Sequence, residues 1–410
     1  MIFPEIEHEL PALTAIRRDL HAHPELSYEE LRTAAIVADK LTEWGLEVHR
    51  GIAKTGVVGT LRRGTSTRAL GLTADMDALP LEELNGFAHR STVAGKMHGC
   101  GHDGHTTMLL GAAQYLARHG QFDGILHFIF RPAEEGGGGA LAMMEAGLFE
   151  RFRCDAVFGM HNVPNLPQGT IGSRVGAITA AVSSFSIVVR GTAGHVARPH
   201  YAVDPIIAAA QLVSAMQALV SRFSDPGESV VVSVSRFHAG AERSNVIPQE
   251  AVIEGSIRTF SIEARDRVER CLATMVRDIP AAFQAHGELK IDHGYPPAIC
   301  AEGPTHLALD VARRVLGADG VAENIAPTMA ADDFSYMLQK CPGAFLFIGN
   351  GDGSHRGDQT GMGPCVVHNP WFDFNDAILP VGASYWATLA ETFLHDGSQE
   401  RVASSKGTQS

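Results

Sequence analysis

Cysteine is scarce in this chain: there are six in 410 residues, and they are scattered. So few cannot build the disulfide framework of a small secreted protein, and a reducing cytoplasm is the expected compartment. Basic residues are outnumbered, 33 against 46 acidic, for a net charge of −13. That balance argues against a nucleic-acid-binding surface. No apolar run approaches the ~20 residues of a membrane-spanning helix, so no membrane partner is expected. Met1 to Leu10 holds three glutamates and no basic stretch, and a secretory signal is not expected either. Charged residues are only 19%, against 45% hydrophobic. This is a globular composition, in a chain long enough for two domains and a sizeable core.

Histidine, by contrast, is abundant, at 20 residues. Three of them fall in Met97-His98-Gly99-Cys100-Gly101-His102-Asp103-Gly104-His105, beside a thiol and a carboxylate. The glycines let such a loop turn tightly and aim several side chains at one point. Thiol and imidazole are the ligands of borderline-soft divalent metals. Thr106 to Arg118 follows with helical spacing, placing Met108, Leu109, Ala112, Ala113 and Leu116 on one face. A polar turn with exposed histidines is the plain alternative. The density of ligand types favours metal.

Before this loop, Leu10 to His21 reads as a helix. His21-Ala22-His23-Pro24 turns, because Pro24 biases its neighbour away from helix. His21 and His23 read as solvated turn residues. Ser27 and Glu30 resemble a capping box opening a second helix through Trp44. Gly56 to Leu61 and Ala69 to Ala74 read as strands, the second ending at Asp75-Met76-Asp77, whose carboxylates point to one side of an extended chain. Gly124 to Phe130 is a nearly continuous apolar run, as in a strand covered on both faces. It leads into Glu134-Glu135 and four glycines. Cys154 to Met160 is a further strand delivering His161. Asp75, Glu134, Glu135 and His161 thus follow strand ends on the edge where open α/β sheets bind ligands.

A small-residue stretch around Thr170 to Thr179 precedes a β-α-β-β-α-β pattern, the order of ferredoxin-like domains. Its strands are Val182 to Val189, Ser229 to Phe237, Glu250 to Thr259 and Glu288 to His293, and its helices Asp204 to Phe223 and Ile262 to His286. Helices at Thr305 to Leu316 and Asp332 to Leu338 then resume the α/β character, with a strand at Ala344 to Gly349. A long polar loop ends in His368-Asn369-Pro370, and a last helix spans Ala377 to His395. The expected organisation is a catalytic domain from 1–180 and 296–396, an inserted domain at 181–295, and a disordered tail at 397–410.

The candidate ligands are Cys100, His102, Glu135, His161 and His368, with Asp75, Asp77 and Asp103 behind them. Five exceed one tetrahedral zinc site. Two metals sharing one bridging ligand are the simpler arrangement, and such a pair supports hydrolysis. Adjacent side chains diverge, so Glu135 is assigned to metal and Glu134 to general acid–base work. A cysteine-nucleophile hydrolase using Cys100, and a non-catalytic metal-binding protein, are readings from other classes.

The chain resembles the two-metal amidohydrolases of the aminoacylase, hippurate hydrolase and auxin–amino-acid-conjugate hydrolase family. The resemblance runs from His21 to about Gly382. It is carried by His21 to Leu26, Ala74 to Pro80, Met97 to Thr106, Pro132 to Gly137, Gly194-His195, Asn245 to Pro248 and His368 to Pro370. It implies a mixed, largely parallel sheet covered by helices, as in metallo-aminopeptidases, with the inserted ferredoxin-like α+β domain serving as lid and dimerisation domain. It also implies two divalent metals (Mn, Zn, Co or Ni) on Cys100, His102, Glu135, His161 and His368, with Cys100 bridging and Glu134 the base. His195 would stabilise the oxyanion, in trans within a homodimer. Asn245 and Arg258 would meet the substrate carboxylate. The implied reaction is attack of metal-activated water on the amide of an N-acyl amino acid; a dipeptidase or carbamoyl-amide hydrolase is the sibling reading. Asp332, Val367 and Arg198 depart from the family's usual residues, Arg198 bearing on specificity.

Overall fold

Leu70, Leu72 and Ala74 alternate with small or short polar residues, and Leu126 to Phe130 is apolar except for the buried His127. Both segments form strands buried on both faces. The structure, a computed structural model, describes residues 1–164, 166–240, 244–357 and 363–395. The tail expected to be disordered lies outside the described residues.

The chain divides into two compact units. The first comprises Met1–Gly176, Ile299–Ala326 and the chain from Tyr336 onward. Its sheet contains β1 (Glu47–Ile52), β2 (Gly56–Arg63), β3 (Ala69–Asp75), β4 (Gly124–Arg131) and β5 (Ala156–Pro164). The order is β1-β2-β4-β3-β5, continued by Gly343–Gly351, Ile171–Ser173 and Val321–Glu323. β4, β3, β5 and Gly343–Gly351 run parallel, while β2 joins antiparallel on one side and Ile171–Ser173 on the other. The sheet is therefore mixed with a parallel centre. Every residue of β3 is buried, as strands covered on both faces require. β1, at the edge and largely exposed, carries too little apolar pattern to be read from sequence.

Helix His102–His119 follows the ligand loop and is buried along its first two thirds, His102 to Ala113, rather than on one face. It packs against Leu379–His395 and Leu10–Ala22. The helix expected from Ser27 begins instead at Leu31. Ser27 makes no cap there: its hydroxyl donates to Asp77 Oδ2 at 2.7 Å.

The second unit is Ala177–Ala298 with Pro327–Ser335. Sequence boundaries place the latter segment in the flanking domain. It packs here because Ala180 N–H donates to Ala330 O (2.8 Å) and Arg258 Nη1 to Met329 O (2.6 Å). Four antiparallel strands take the order Val230–Ala239, Glu250–Thr259, Ala181–Arg190, His286–His293. Helices Pro205–Ser221 and Ile262–Ala282, capped by Asp204 and Ser261, pack onto them around Phe185, Ile187, Leu212, Met216, Ile253 and Leu272. This is the ferredoxin-like arrangement expected of the insertion.

Candidate metal centre and active site

The parallel strands end on one edge of the sheet, and the candidate ligands gather there. Asp75 is the last residue of β3, and Glu134 and Glu135 lie just past β4. His161 lies within β5 rather than beyond it, opposite Phe347. The Cys100 loop and His368 close over them. The groupings that result include Cys100–His102–His161, Cys100–Glu135–His368 and His102–Glu134–Glu135. Within each, one donor atom per residue lies within 4.8 Å of the others.

Local backbone explains the aim of each donor. Gly101 has φ 93°, and a Cβ there would fall 2.2 Å from Asn162 Oδ1, so only glycine lets the loop turn into the helix. His368 is also left-handed, φ 62°, and its N–H donates to Gly99 O at 2.7 Å, docking one ligand loop on the other. His161 Nδ1 lies 2.6 Å from the Asn162 carbonyl, leaving Nε2 to face Cys100 Sγ at 3.3 Å. His102 Nδ1 is 3.3 Å from Asp77 Oδ1. Its Nε2 is 3.9 Å from Glu135 Oε1, which is 3.2 Å from His368 Nε2. Holding one imidazole nitrogen by carboxylate or carbonyl is how metal-ligating histidines are oriented.

Asp77 does more. Its Oδ1 and Oδ2 accept the backbone N–H groups of Glu134 and Glu135, each at 3.0 Å, and so fix the acidic turn. Asp75 instead holds His105 at 2.6 Å and Arg131 at 3.3 Å. Asp103 does not back the ligands. It bonds His21 Nδ1 at 2.8 Å and lies 3.6 Å from Arg17 Nη1. His21 is correspondingly buried, not solvated, with Nε2 3.2 Å from Glu83. His105, engaged by Asp75 and Asn162, is a support rather than an open donor.

The donor set fits divalent cations on the structure's own terms. His102 Nε2 and Glu135 Oε1 are buried and have no hydrogen-bond partner, a costly state unless something else satisfies them. Burial would raise Asp75, but His102 and His105 outweigh it and hold the carboxyl well below its ordinary range. Burial lowers His161 well below its usual value, with His105 adding to the effect. Burial, with Glu135 beside it, raises the Cys100 thiol well above its usual value. Burial thus opposes a free Cys100 thiolate, the form a cysteine nucleophile needs.

The three candidates of the inserted unit are placed within that unit. His195 is exposed, on the short strand Gly194–His195 that pairs with Val246–Ile247. Asn245 immediately precedes Val246, the residue opposite His195, and its carbonyl accepts from Val196 N–H at 3.3 Å. Arg258 lies on Glu250–Thr259, half-buried. Residues to which the sequence gives no part in the site are Arg131, Asn162 and Glu30, the last read only as part of a helix cap. Asn162 stood next to a named ligand, but only its fold position beside His105 shows its role.

A strand-edge cluster of thiol, imidazole and carboxylate donors on a largely parallel sheet defines a metallohydrolase of the α/β class. The chain belongs to peptidase family M20/M25/M40, matching it over residues 71–392. It is 41% identical over 397 residues to a hippurate hydrolase of Campylobacter jejuni, covering 96% of this chain and 99% of that protein. An N-acetyl-L-cysteine deacetylase of Bacillus subtilis is 38% identical over 390 residues, 95% of this chain and 89% of the relative. Among solved structures, a Bacillus subtilis dinuclear metal-binding peptidase of the M20 family superposes with a TM-score of 0.80 at 34% identity, covering 95% of this chain and 99% of its own.

Proposed function

We propose that this protein hydrolyses the amide bond of N-acyl amino acids in a metal-dependent reaction. The convergence of Cys100, His102, His161, Glu135 and His368 around orphaned buried donor atoms, with Glu134 beside them, carries the reading. The names of the relatives, which act on benzoyl- and acetyl-amino acids, support the substrate class.

Those five residues would hold two divalent cations. Bound cations of this kind lower the pKa of water and polarise a carbonyl. Glu134 takes the proton of the attacking water and delivers it to the leaving amine nitrogen, a contribution typically worth 10²–10⁴-fold. Asp77 fixes the backbone of Glu134 and Glu135, and adjacent side chains diverge, so one can ligate while the other moves a proton. Manganese, zinc, cobalt and nickel are the cations to assay.

The inserted unit contributes His195 to the oxyanion, and Asn245 and Arg258 to the substrate carboxylate. His195 Nδ1 accepts Ala197 N–H at 3.1 Å, so a neutral ring carries its proton on Nε2, as a donor. We further propose a homodimer through this unit, whose edge strand Val230–Ala239 exposes Val231 and Phe237. The cytoplasm is proposed as its compartment on the scarcity of cysteine. Among the described residues no helix is long and apolar enough to cross a membrane.

The test is a panel of acetyl-, benzoyl- and indoleacetyl-amino acids, with dipeptides and carbamoyl-amino acids, assayed after chelation and after adding back each cation. Metal-restored cleavage of acyl amino acids is the expected result. Full turnover in verified metal-free protein would end the proposal. For His195, mixing His195→Ala with Glu134→Gln subunits should restore activity if the histidine acts across subunits. No rescue despite demonstrated exchange confines it to its own chain.

A further inference from the structure

Nothing in the reaction above uses Ser27-Tyr28-Glu29-Glu30, yet this segment is fastened to the loop that carries Glu134 and Glu135. Glu30 is fully buried. Its Oε1 accepts the backbone N–H of Ala133 at 2.7 Å and that of Tyr28 at 3.0 Å. Its Oε2 accepts the Thr55 hydroxyl at 2.5 Å. On the far side of the acidic pair, the Tyr28 hydroxyl donates to Gly137 O at 2.8 Å. The loop is thus gripped immediately before and shortly after Glu134 and Glu135.

The gripped backbone is a strained one, although Gly137 N–H and Gly139 N–H also donate to Ala133 O at 3.1 and 3.2 Å. Ala133 has φ 51°, in the left-handed region that costs a residue with a Cβ. The turn is so tight that a Cβ on Gly137 would lie 2.5 Å from that of Ala133. Three successive N–H groups, those of Ala133, Glu134 and Glu135, are taken by two buried carboxyls, Glu30 and Asp77. The two differ in their other commitments. Asp77 also faces His102, a ligand of the assigned set. The bonds of Glu30 go to Thr55, Tyr28 and Ala133, none of which is a ligand.

We propose that Glu30, backed by Tyr28, is a positioning residue for this reaction: it pins Ala133 in left-handed backbone and thereby aims the Glu134 side chain. The inference rests on Glu134 being the general base. Misplacing a reacting group by about 1 Å is enough to cost roughly 10²-fold in rate. The effect of losing Glu30 belongs in kcat, with substrate binding and cation binding little changed.

The experiment compares Glu30→Ala, Glu30→Gln, Tyr28→Phe and Glu134→Gln, each loaded with manganese. Bound metal is counted by mass spectrometry, and kcat and KM are measured on the best-cleaved acyl amino acid. Glu30→Ala should keep both metals and a KM within about threefold while kcat falls roughly 10- to 10²-fold. Glu30→Gln should restore most of kcat, because its amide oxygen still accepts from Ala133 and Tyr28 and its amide N–H can donate to Thr55. Tyr28→Phe should lose severalfold in kcat. The proposal is overturned if Glu30→Ala turns over within twofold of native, if its kcat falls only in step with lost metal, or if Glu30→Gln is as impaired as Glu30→Ala. Should Glu30→Ala not fold, unchanged kcat in Tyr28→Phe overturns it. Near-native turnover in Glu134→Gln would instead remove the base assignment. A dead Glu134→Gln beside a native-like Glu30→Ala removes the positioning role alone.

Discussion

Two buried polar clusters lie in the same unit of this protein, and they are built on opposite plans. Around Arg17, charge is answered by charge. Its Nε meets Asp376 at 2.6 Å and its Nη1 meets Asp373 at 3.0 Å, and both ring nitrogens of His21 are engaged by Asp103 and Glu83. Among the described side chains just named, Asp103 Oδ1 alone lacks a partner. Around Cys100, donors face donors: imidazole faces thiol, carboxylate faces imidazole, and His102 Nε2 and Glu135 Oε1 have no hydrogen bond. A network that closes on itself specifies structure. One that leaves buried donors unanswered is shaped for something the chain does not supply.

Removing the cations should have the largest effect, because it returns the open cluster to its unanswered state. Prolonged chelation is expected to abolish turnover and to lower the melting temperature. Ligand linkage at a free cation concentration of ~1,000 times Kd is worth about 4 kcal/mol. A chelated enzyme that keeps both activity and melting temperature would show the donors to be satisfied some other way.

Next in size is the contrast between neighbours within the open cluster. Glu134→Gln should retain both cations while kcat falls roughly 10²-fold or more. Glu135→Gln should lose metal as well. Metal counts that fail to separate the two variants would overturn the division of labour.

The closed cluster is broken at its hub. Arg17→Met leaves Asp103, Asp373 and Asp376 without their shared cation, and the loss of one partner from a buried ionic network costs ~3–5 kcal/mol. Urea denaturation should report that loss, while the folded fraction still binds two cations. If Arg17→Met emptied the metal site at full stability, the two clusters would not be separable.

The contrast also explains what the sequence made legible. The open cluster was readable because ligand chemistry shows in residue type. Cys100 and His102 stand two apart on a glycine-rich loop, and Glu134-Glu135 and His161 come at or just past the ends of apolar strands. The closed cluster was not, because its members are ordinary ionisable residues whose meaning depends on who is opposite. His21 before His23-Pro24 reads as a solvated turn, and nothing local announces that Asp103 and Glu83, 82 and 62 residues away, will bury it. Ser27 fails for the same reason, its three-residue spacing to Glu30 mimicking a helix cap while its hydroxyl is claimed by Asp77. The core strands and both inserted helices followed from periodicity. The exposed edge strand Glu47–Ile52 and the docking of Pro327–Ser335 with the inserted unit depend on pairings that no local pattern encodes.

The smallest effect is a change of slope, and it resolves the comparison at two neighbouring histidines, His21 and His98, whose rings lie 6.3 Å apart. Burial alone would lower His21, but Asp103 and Glu83 outweigh it and raise the imidazole to about 10. His98 has no partner on either nitrogen, and burial, helped by His21 and His102, lowers it to about 4. The signs follow from which state binds the proton. From the ordinary value of about 6.5 up to about 10, unfolded chain has released the His21 proton while folded protein keeps it, so this contribution falls with rising pH and is gone above that range. Below about 6.5 the unfolded chain protonates its His98 equivalent while the folded ring stays neutral, so that contribution is lost as pH falls toward about 4. Urea unfolding across pH 5 to 10 should give stability that declines on both sides of neutrality. Each limb is limited to about 1.4 kcal/mol per pH unit. His21→Gln should flatten the alkaline limb and leave the acid limb, and His98→Gln should do the reverse. Curves for the two variants that run parallel to the native curve would mean that neither ring's environment differs between folded and unfolded chain, and the distinction between a closed and an open cluster would lose its thermodynamic content.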